Sequence, residues 1–461
     1  MPAGFPFARQ RAKYCAFLVF WTLVSAAGVL GPIPGWCAQL FTLRDCVRTA
    51  LEKNPELRAL HYGHDAAKEE KIKARAGFFP SLDVQSVYTR YEEPQRVIPA
   101  HANNEPGIFD RDLVDAALIG RLILFEGGRR RAAVRVADLK TDQSLWDLTA
   151  STHDLVLNVA SVYYKILQLD QVIRATEGSL DALRAHEQLA HHELDVGRAA
   201  PVDLMKIQVR VSSLTQKLSS LQADRQVLLV LLEKLMGIHS GEELFADVSG
   251  SLEKPAVAWI SQDQALQEAM ENHPHIKAAR AAVQAAMENV RAARADHWPQ
   301  VSTFGRYGLR HGLPYDAGSS HQGLSHEDTW AAGVQVDVPL FRAGAVRANV
   351  RQAAFLAEQA REQLRASELA VRHDVEGSLT ALKDALDRIE VTESAISVAK
   401  ETLRIEQEKY AAGKNSINDV LDAQAALLQA EVEYAQAVSD AQIAVLERDR
   451  AMGLDLAQRF Q

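Results

Sequence analysis

The sequence predicts a mainly α-helical protein that also contains a small set of membrane-type β-strands. Three observations favour this fold class. Aromatic residues make up only 7% of the 461 residues, while Ala, Leu, Gln, Glu and Arg are abundant, which is the bias of long helices. Residues 129–196 contain no proline and one glycine, and four shorter stretches alternate between apolar and polar residues. We therefore expect an elongated chain whose function depends on its shape.

The N-terminus has the composition of an export signal. Three basic residues precede an apolar run at residues 16–30, and this run is shorter than the roughly 20 residues of a membrane-spanning helix. Cleavage after Ala27 and cleavage after Ala38 both fit the pattern, and an uncleaved anchor is the alternative. We predict a signal peptide at residues 1–38.

Charge and cysteine content exclude two further classes of protein. Loss of the signal removes three of the 51 basic residues and leaves 48 against 60 acidic residues, a net charge of −12. Nucleic acid is therefore not an expected partner. Cys15 lies in the signal, so Cys37 and Cys46 alone imply no disulfide framework. A lipidated Cys37 is an alternative N-terminus, although the residue before it, Trp36, is not small.

The two halves of the chain repeat one pattern. Pro55 and Pro274 each precede a second proline by 25 residues, at Pro80 and Pro299, and the offset between the halves is 219 residues. The difference in length between the halves lies between the second proline and the Leu-Phe pair of each half.

The offset becomes 216 residues at the Leu-Phe pairs of residues 124–125 and 340–341 and stays constant through the later glycines. The helical parts therefore keep strict register. We assign residues 39–250 to a first repeat and residues 251–461 to a second.

Four alternating stretches predict the strands. The alternation is clearest where Val334, Val336 and Val338 lie on one face and Gln335 and Asp337 on the other. The length of about 9 to 12 residues is that of a tilted transmembrane strand. The predicted strands are residues 81–91, 114–125, 300–310 and 330–341.

Long periodic stretches predict four helices that form antiparallel coiled-coil hairpins. They are residues 128–197, 201–236, 344–412 and 417–452. The first would extend over roughly 100 Å, and its recurring charges exclude a lipid-spanning helix. A soluble coiled-coil scaffold is the alternative that this pattern leaves open.

Four membrane strands cannot close a barrel, and open strand edges do not occur in lipid. Several chains must therefore contribute to one barrel. Two chains give eight strands and a lumen nearly filled by side chains, whereas three chains give 12 strands and a wider lumen. The sequence thus favours a homotrimer.

The order and spacing of these features resemble the TolC-type outer-membrane efflux proteins. The resemblance rests on the proline elements at residues 54–80 and 274–299, where His273 replaces the asparagine of the first copy, on LFEGG at residues 124–128, and on two Gly-x5-Asp turns. It covers essentially the whole mature chain. It implies a trimer with a 12-stranded barrel in the outer membrane of a Gram-negative bacterium, continued by a 12-helix tunnel across the periplasm.

The resemblance also implies a function and partners. Family members are passive exit ducts for efflux or type I secretion, so we expect no enzyme activity and no cofactor. The implied partners are a periplasmic adaptor, an inner-membrane pump of the RND, ABC or MFS type, and outer-membrane lipid. The adaptor would dock at the hairpin tips, at Gly197 and Gly413. The alternative is a periplasmic coiled-coil adaptor or scaffold.

Asp419 and Asp422 are the candidate pore constriction. They match the aspartates of the family motif DVLDA and are three residues apart, so both can lie on one helix face. In a trimer they would form two rings of carboxylates, the arrangement that lines cation-selective pores. The first copy has Asp203 and Lys206 at these places and would not form the same rings. The alternative is a solvated helix N-terminus, where Asp is favoured.

The resemblance further implies a latch that holds the pore closed. Tyr410 and Asp203 match the family's tyrosine and aspartate, but Asn415 occupies the position of an arginine. A neutral donor weakens such a link, because charge-assisted hydrogen bonds are stronger. Lys414 is another candidate for that role.

Two clusters of histidine and acidic residues could suggest a metal site, but the sequence does not favour one. They are His186, His191 and His192 with Glu187 and Glu193, and His61 and His64 with Asp65. An exposed helix face explains them as well as a metal ion does, so we predict no metal site. The sequence also lacks phosphate-binding and nucleophile motifs.

Overall fold

A computed structural model describes residues 39–99, 107–196, 200–238, 245–313 and 325–460. The predicted signal peptide with Cys37, and the tip residue Gly197, lie outside these ranges. In chain order the elements are β1 (Gln39–Phe41), α1 (Leu43–Lys53), α2 (Pro55–Ala76), β2 (Ser81–Ile98), β3 (Ile108–Phe125), α3 (Arg129–Asp195), α4 (Pro201–Met236), β4 (Phe245–Val248), α5 (Gln262–Asn272), α6 (Pro274–Ala295), β5 (Gln300–Leu313), β6 (Ser325–Asp337), α7 (Ala345–Ala411), α8 (Ile417–Ala451) and α9 (Leu456–Arg459).

The helices occur in pairs of matching length. α1 and α5 have 11 residues each, α2 and α6 have 22, α3 and α7 have 67, and α4 and α8 have 36 and 35. α2 and α6 both begin with proline, whose missing N–H is tolerated at the first helical position. The four long helices end within two residues of the predicted bounds, the usual uncertainty of a helix end.

The strands β2, β3, β5 and β6 form one antiparallel sheet in that order. β2 and β3 have 18 residues each and are longer than predicted. They continue past a register shift, pairing Gln95 with Asp110 and Ile98 with Ile108. The sequence of this extension is polar and rich in turn residues, so it lacks the alternation that predicts a strand. β6 ends at Asp337, four residues earlier than predicted, just before Pro339, which has no N–H to donate.

The two faces of this sheet differ in chemistry. Val84, Leu118, Tyr307 and Trp330 are partners across the four strands, and Val84 and Trp330 are 80% and 77% exposed. On the opposite face Arg310 donates two hydrogen bonds to Asp115, at 2.9 and 3.2 Å. The sheet therefore has one exposed apolar face and one polar face.

The long helices form two hairpins that pack against each other. α3 packs against α4, α7 packs against α8, and α3 also contacts α8. The main core lies beside β1 and β4, which pair in parallel, and is centred on Val159, Ile166, Leu232 and Met236. Within the part of the chain that the structure describes, every helix is too short or too polar to cross a membrane.

A second core joins the two hairpins at the end remote from the sheet. We call the ends of α3 and α7, with the starts of α4 and α8, the helix tips. The tip cluster consists of Leu183, Ala190, Ile207, Ile417, Val420 and Leu421. Its burial fixes the position of the predicted gate residues.

Candidate gate at the helix tips

The turn between α7 and α8 requires a glycine. Gly413 has φ +68°, a left-handed conformation that side chains other than glycine rarely adopt. Its N–H donates to the carbonyl of Tyr410 at 2.9 Å, and the N–H of Lys414 donates to the carbonyl of Lys409 at 2.9 Å. These two bonds form a Schellman motif, which ends a helix and satisfies its last carbonyl groups.

Asp419 lies in the first turn of α8 and caps it. One oxygen of its carboxylate, Oδ2, accepts hydrogen bonds from the backbone N–H and the hydroxyl of Ser416, both at 2.9 Å. These bonds lower the pKa of Asp419, so its carboxylate is ionised at neutral pH. The side chain is exposed and holds a fixed negative charge at the tip.

Asp422 lies one turn further along α8 and has a different partner. It is exposed, and its carboxylate is 3.5 Å from Nη2 of Arg210 on α4. The residues between the two aspartates, Val420 and Leu421, are buried in the tip cluster. Both carboxylates therefore lie at the surface beside the tip cluster. They differ in their partners, which are Ser416 for Asp419 and Arg210 for Asp422.

Arg210 was not found by sequence reasoning. The repeat places Ala426 at the corresponding position of the second copy, so the duplication contains no signal for it. Only the packing of α4 near α8 brings it to Asp422. A search for basic residues one or two turns after Asp203 would have been the nearest available signal.

Tyr410 is half-buried against the tip cluster. Burial raises the pKa of its phenol, and the nearby carboxylates of Glu193 and Asp203 act in the same direction. Asp203 itself is 3.7 Å from Lys206 in the first turn of α4. The carboxylate of Asp203 therefore lies within electrostatic range of Tyr410 in the same chain.

Asn415, the third predicted latch residue, is bound to its own hairpin. Its Nδ2 donates to the backbone carbonyl of Glu406 at 3.2 Å and also to the Glu406 carboxylate. Lys409 donates to the same carboxylate at 2.7 Å and, with Asn415, lowers the pKa of Glu406. The Oδ1 atom of Asn415 is buried and meets no donor among the described residues. The Asn415 side-chain amide therefore stabilises the turn after α7.

The histidine clusters have other partners. The buried His64 ring is 2.9 Å from the Ser144 hydroxyl, and the His191 ring is 3.2 Å from the Asp195 carboxylate. Across the described ranges, no group of three or more His, Cys, Asp or Glu residues is placed to hold a metal ion.

A cavity of about 420 Å³, lined by both polar and apolar side chains, lies between α3, α6 and α7. Its wall contains the buried residues His153 and His273. Arg450 reaches Asp154 at 2.8 Å and Asp374 at 3.8 Å. Because these charges pair with one another, they indicate a structural role in joining the helices.

Comparison with known proteins gives a consistent result. The family model described as "Outer membrane efflux protein" matches residues 46–238 and 265–454. The outer membrane efflux protein BepC of Brucella suis is 24% identical over 441 residues, covering 94% of this chain and 90% of the relative. The outer membrane protein TolC of Escherichia coli is 23% identical over 410 residues, covering 87% and 80%.

Solved structures share the fold at low identity. A membrane protein from Pseudomonas aeruginosa superposes with a TM-score of 0.77 at 21% identity, covering 90% of this chain and 91% of that one. The outer membrane protein VceC from Vibrio cholerae gives 0.74 at 21% identity, covering 89% and 96%. The likeness therefore extends over nearly the whole described chain.

Proposed function

The chain belongs to the outer membrane efflux protein family, and we propose that it forms the passive exit duct of a tripartite efflux or type I secretion system. Members of this family are outer membrane channels and not enzymes, and this chain is an outer membrane protein. In the proposed system it receives cargo from a periplasmic adaptor and an inner-membrane pump of the RND, ABC or MFS type. The observation that carries the proposal is the sheet with an exposed apolar face, which is joined to two helical hairpins whose first helices, α3 and α7, have 67 residues each.

The sheet supports assembly as a homotrimer. Its edge strands are β2 and β6, and neither edge can remain open in lipid because unpaired backbone groups there cost several kcal/mol each. Pairing β6 of one chain with β2 of the next closes the sheet, and three copies give 12 strands. The exposed row that contains Val84 and Trp330 would then face lipid, and Asp115 with Arg310 would face the lumen.

The two repeats supply a second argument for neighbouring copies. Within one chain Phe125 packs edge-to-face against Trp298, with ring centroids 6.5 Å apart. The residues at the corresponding places of the other copy are Phe341 and Phe79, which are 87% and 71% exposed. Phe341 of one chain against Phe79 of the next would repeat the internal contact. The proposed contact between chains is therefore equivalent, by the repeat, to the contact between Phe125 and Trp298 inside the chain.

The helix tips are the proposed gate. Three copies would place Asp419 and Asp422 in two rings at the periplasmic mouth, with Tyr410, Asp203 and Asn415 in the neighbouring links. The turns at Gly197 and Gly413 are the proposed adaptor contacts.

The experiment that tests the duct and its gate is single-channel recording of the purified protein in planar lipid bilayers. We expect cation-selective conductance that multivalent cations block. Combining Asp419→Ala with Asp422→Ala should lower the cation selectivity and abolish the block, because the negative rings are lost.

The matched control is Asp181→Ala, which removes an exposed carboxylate of α3 about four turns before the tip and should leave both properties unchanged. Unaltered selectivity and block in the double variant would reject the assignment of the constriction. A protein that fractionates as a soluble periplasmic monomer would support the scaffold alternative and reject the duct itself.

A further inference from the structure

The two aspartates of the proposed gate do not contribute equal charge. Asp419 accepts its hydrogen bonds from Ser416, a neutral residue of its own helix end. Asp422 lies 3.5 Å from the guanidinium of Arg210. Of these two carboxylates, only that of Asp422 has a cation within 4 Å among the described residues, while the more distant Lys409 acts on Asp419.

The Arg210–Asp422 pair also joins the two hairpins. Arg210 belongs to α4 of the first hairpin and Asp422 to α8 of the second. The pair lies at a groove of about 340 Å³ whose other walls are mainly apolar, including Val202, Met205 and Val209. Any movement that separates α8 from α4 must lengthen this ion pair.

We propose that Arg210 sets the charge of the gate by neutralising Asp422 while the hairpins are in contact and by releasing it when they separate. This inference rests on the proposed function and deepens it. In a trimer the Asp419 ring keeps three negative charges throughout, whereas three arginines balance the Asp422 ring until the pairs break. The mouth therefore becomes more strongly cation-attracting as it widens.

Lys206 is the second cation at the same groove, and it provides the matched control. Its ammonium group is 3.7 Å from Asp203 on its own helix, so it balances a different carboxylate. Replacing either cation removes one positive charge per chain from the mouth. Only the loss of Arg210 leaves Asp422 without its partner.

The test uses the full-length protein in planar bilayers, with hexaamminecobalt(III) as the blocking cation and reversal potentials in a KCl gradient as the measure of selectivity. Arg210→Gln should raise cation selectivity and cause block at a concentration roughly twofold to fivefold lower, the range of an exposed charge pair. The same change in the Asp422→Asn background should have no effect. Lys206→Gln frees Asp203 instead of Asp422, so its effect on the block should be the same with and without the Asp422→Asn change. Arg210→Lys should keep the block of the unaltered protein because the charge is kept.

The outcomes separate this inference from the proposed function. Arg210→Gln without effect in a channel that Asp419→Asn still renders less selective would overturn the role of Arg210 alone. An equal effect of Arg210→Gln with and without Asp422 would also overturn it, because the arginine would then act on another group. Absence of conductance from the unaltered protein would overturn both. Since Arg210 is 55% exposed, we expect the variants to fold, and the heat-modifiable oligomer on a gel verifies this.

Discussion

His273 is a buried histidine that caps α6. Its Nδ1 accepts a hydrogen bond from the backbone N–H of His275 at 3.3 Å. Burial lowers the pKa of His273 from the ordinary 6.5 to about 4; His275, Arg450 and His153 act in the same direction, and Asp374 opposes them. The unfolded chain thus binds a proton near pH 6.5, whereas the folded chain binds it only near pH 4. The free energy of unfolding should fall as the pH drops from 6.5 towards 4 and be unaffected by this group above 6.5.

We expect His273→Asn to reduce this acid sensitivity. Asn54 is the corresponding cap of α2, and its side chain accepts a hydrogen bond from the N–H of Leu57 at 2.9 Å, so an amide can replace the imidazole. Thermal unfolding at pH 7.5 and pH 5 should show a loss in the unaltered protein that is smaller in the variant, by on the order of 1 to 3 kcal/mol. The exposed His191→Asn is the control and should keep the original pH dependence. Equal acid sensitivity in His273→Asn would show that other groups cause it.

At the scale of single residues, the positions of the candidate gate residues could be predicted from the sequence, but the residues that they contact could not. Asp419 and Asn415 were identified by motif, but their hydrogen bonds to Ser416 and Glu406 depend on how the turn after α7 closes. The role of Arg210 could not be predicted, because its contact with Asp422 joins residues that are far apart in sequence. Periodicity and spacing describe one element at a time and do not contain such contacts.

At the scale of elements, the strand-to-helix turn before α3 illustrates a glycine that is needed for space. Gly127 has φ +62°, and a Cβ atom there would lie 2.7 Å from the Cβ of Trp298 and 2.9 Å from the carbonyl oxygen of Ala295. The corresponding residue of the second copy, Ala343, adopts φ 45°, so the backbone conformation alone does not require glycine. The close approach of α6 does.

We expect Gly127→Ala and Gly178→Ala to shift stability in opposite directions. Gly127→Ala should lower the free energy of unfolding by about 1 to 3 kcal/mol, because α6 must move away. Gly178 lies inside α3 with nothing near its missing Cβ, so Gly178→Ala should raise it by roughly 0.5 to 1 kcal/mol. Thermal denaturation of the detergent-solubilised protein measures both. A loss of stability in Gly178→Ala would mean that α3 has a neighbour at that position.

The long helices could be predicted from the sequence within two residues at each end, whereas the four strands could be located but at least one end of each could not. Helices of 67 residues present many turns of the same apolar spacing. β2 and β3 extend through a polar, turn-rich segment where alternation is weak, and the extension is maintained by strand pairing and by the burial of Val97. A sheet contact is set by the partner strand, so its end is not encoded in either strand alone.

At the scale of the whole molecule, the duplicated sequence predicts which surfaces a second copy should cover. Inside the chain α6 packs against α3 and α7, and Lys277 lies 4.7 Å from the Trp146 ring at the α3 contact. The offsets of 219 and 216 residues map this pair onto Arg58 and Glu362. In the proposed trimer, Arg58 of one chain and Glu362 of the next would replace the cation and the aromatic ring by two opposite charges, so this contact would also be attractive.

We expect a crosslink between neighbouring chains when Phe79→Cys and Phe341→Cys are combined. The proposed contact would bring these two side chains as close as the internal pair of Phe125 and Trp298, whose centroids are 6.5 Å apart. A short bifunctional thiol reagent should therefore yield covalent dimers and trimers on a denaturing gel. The described free cysteine, Cys46, is buried and should not react in the folded protein.

The control combines Phe125→Cys with Trp298→Cys, which should crosslink within one chain and migrate as a monomer. Because both pairs occupy the same place in the repeated pattern, the gel distinguishes a contact inside the chain from one between chains. If Phe79→Cys with Phe341→Cys gave only monomers while the control reacted fully, the repeat would not continue across the subunit boundary. The barrel would then have to close through a different arrangement of β2 and β6.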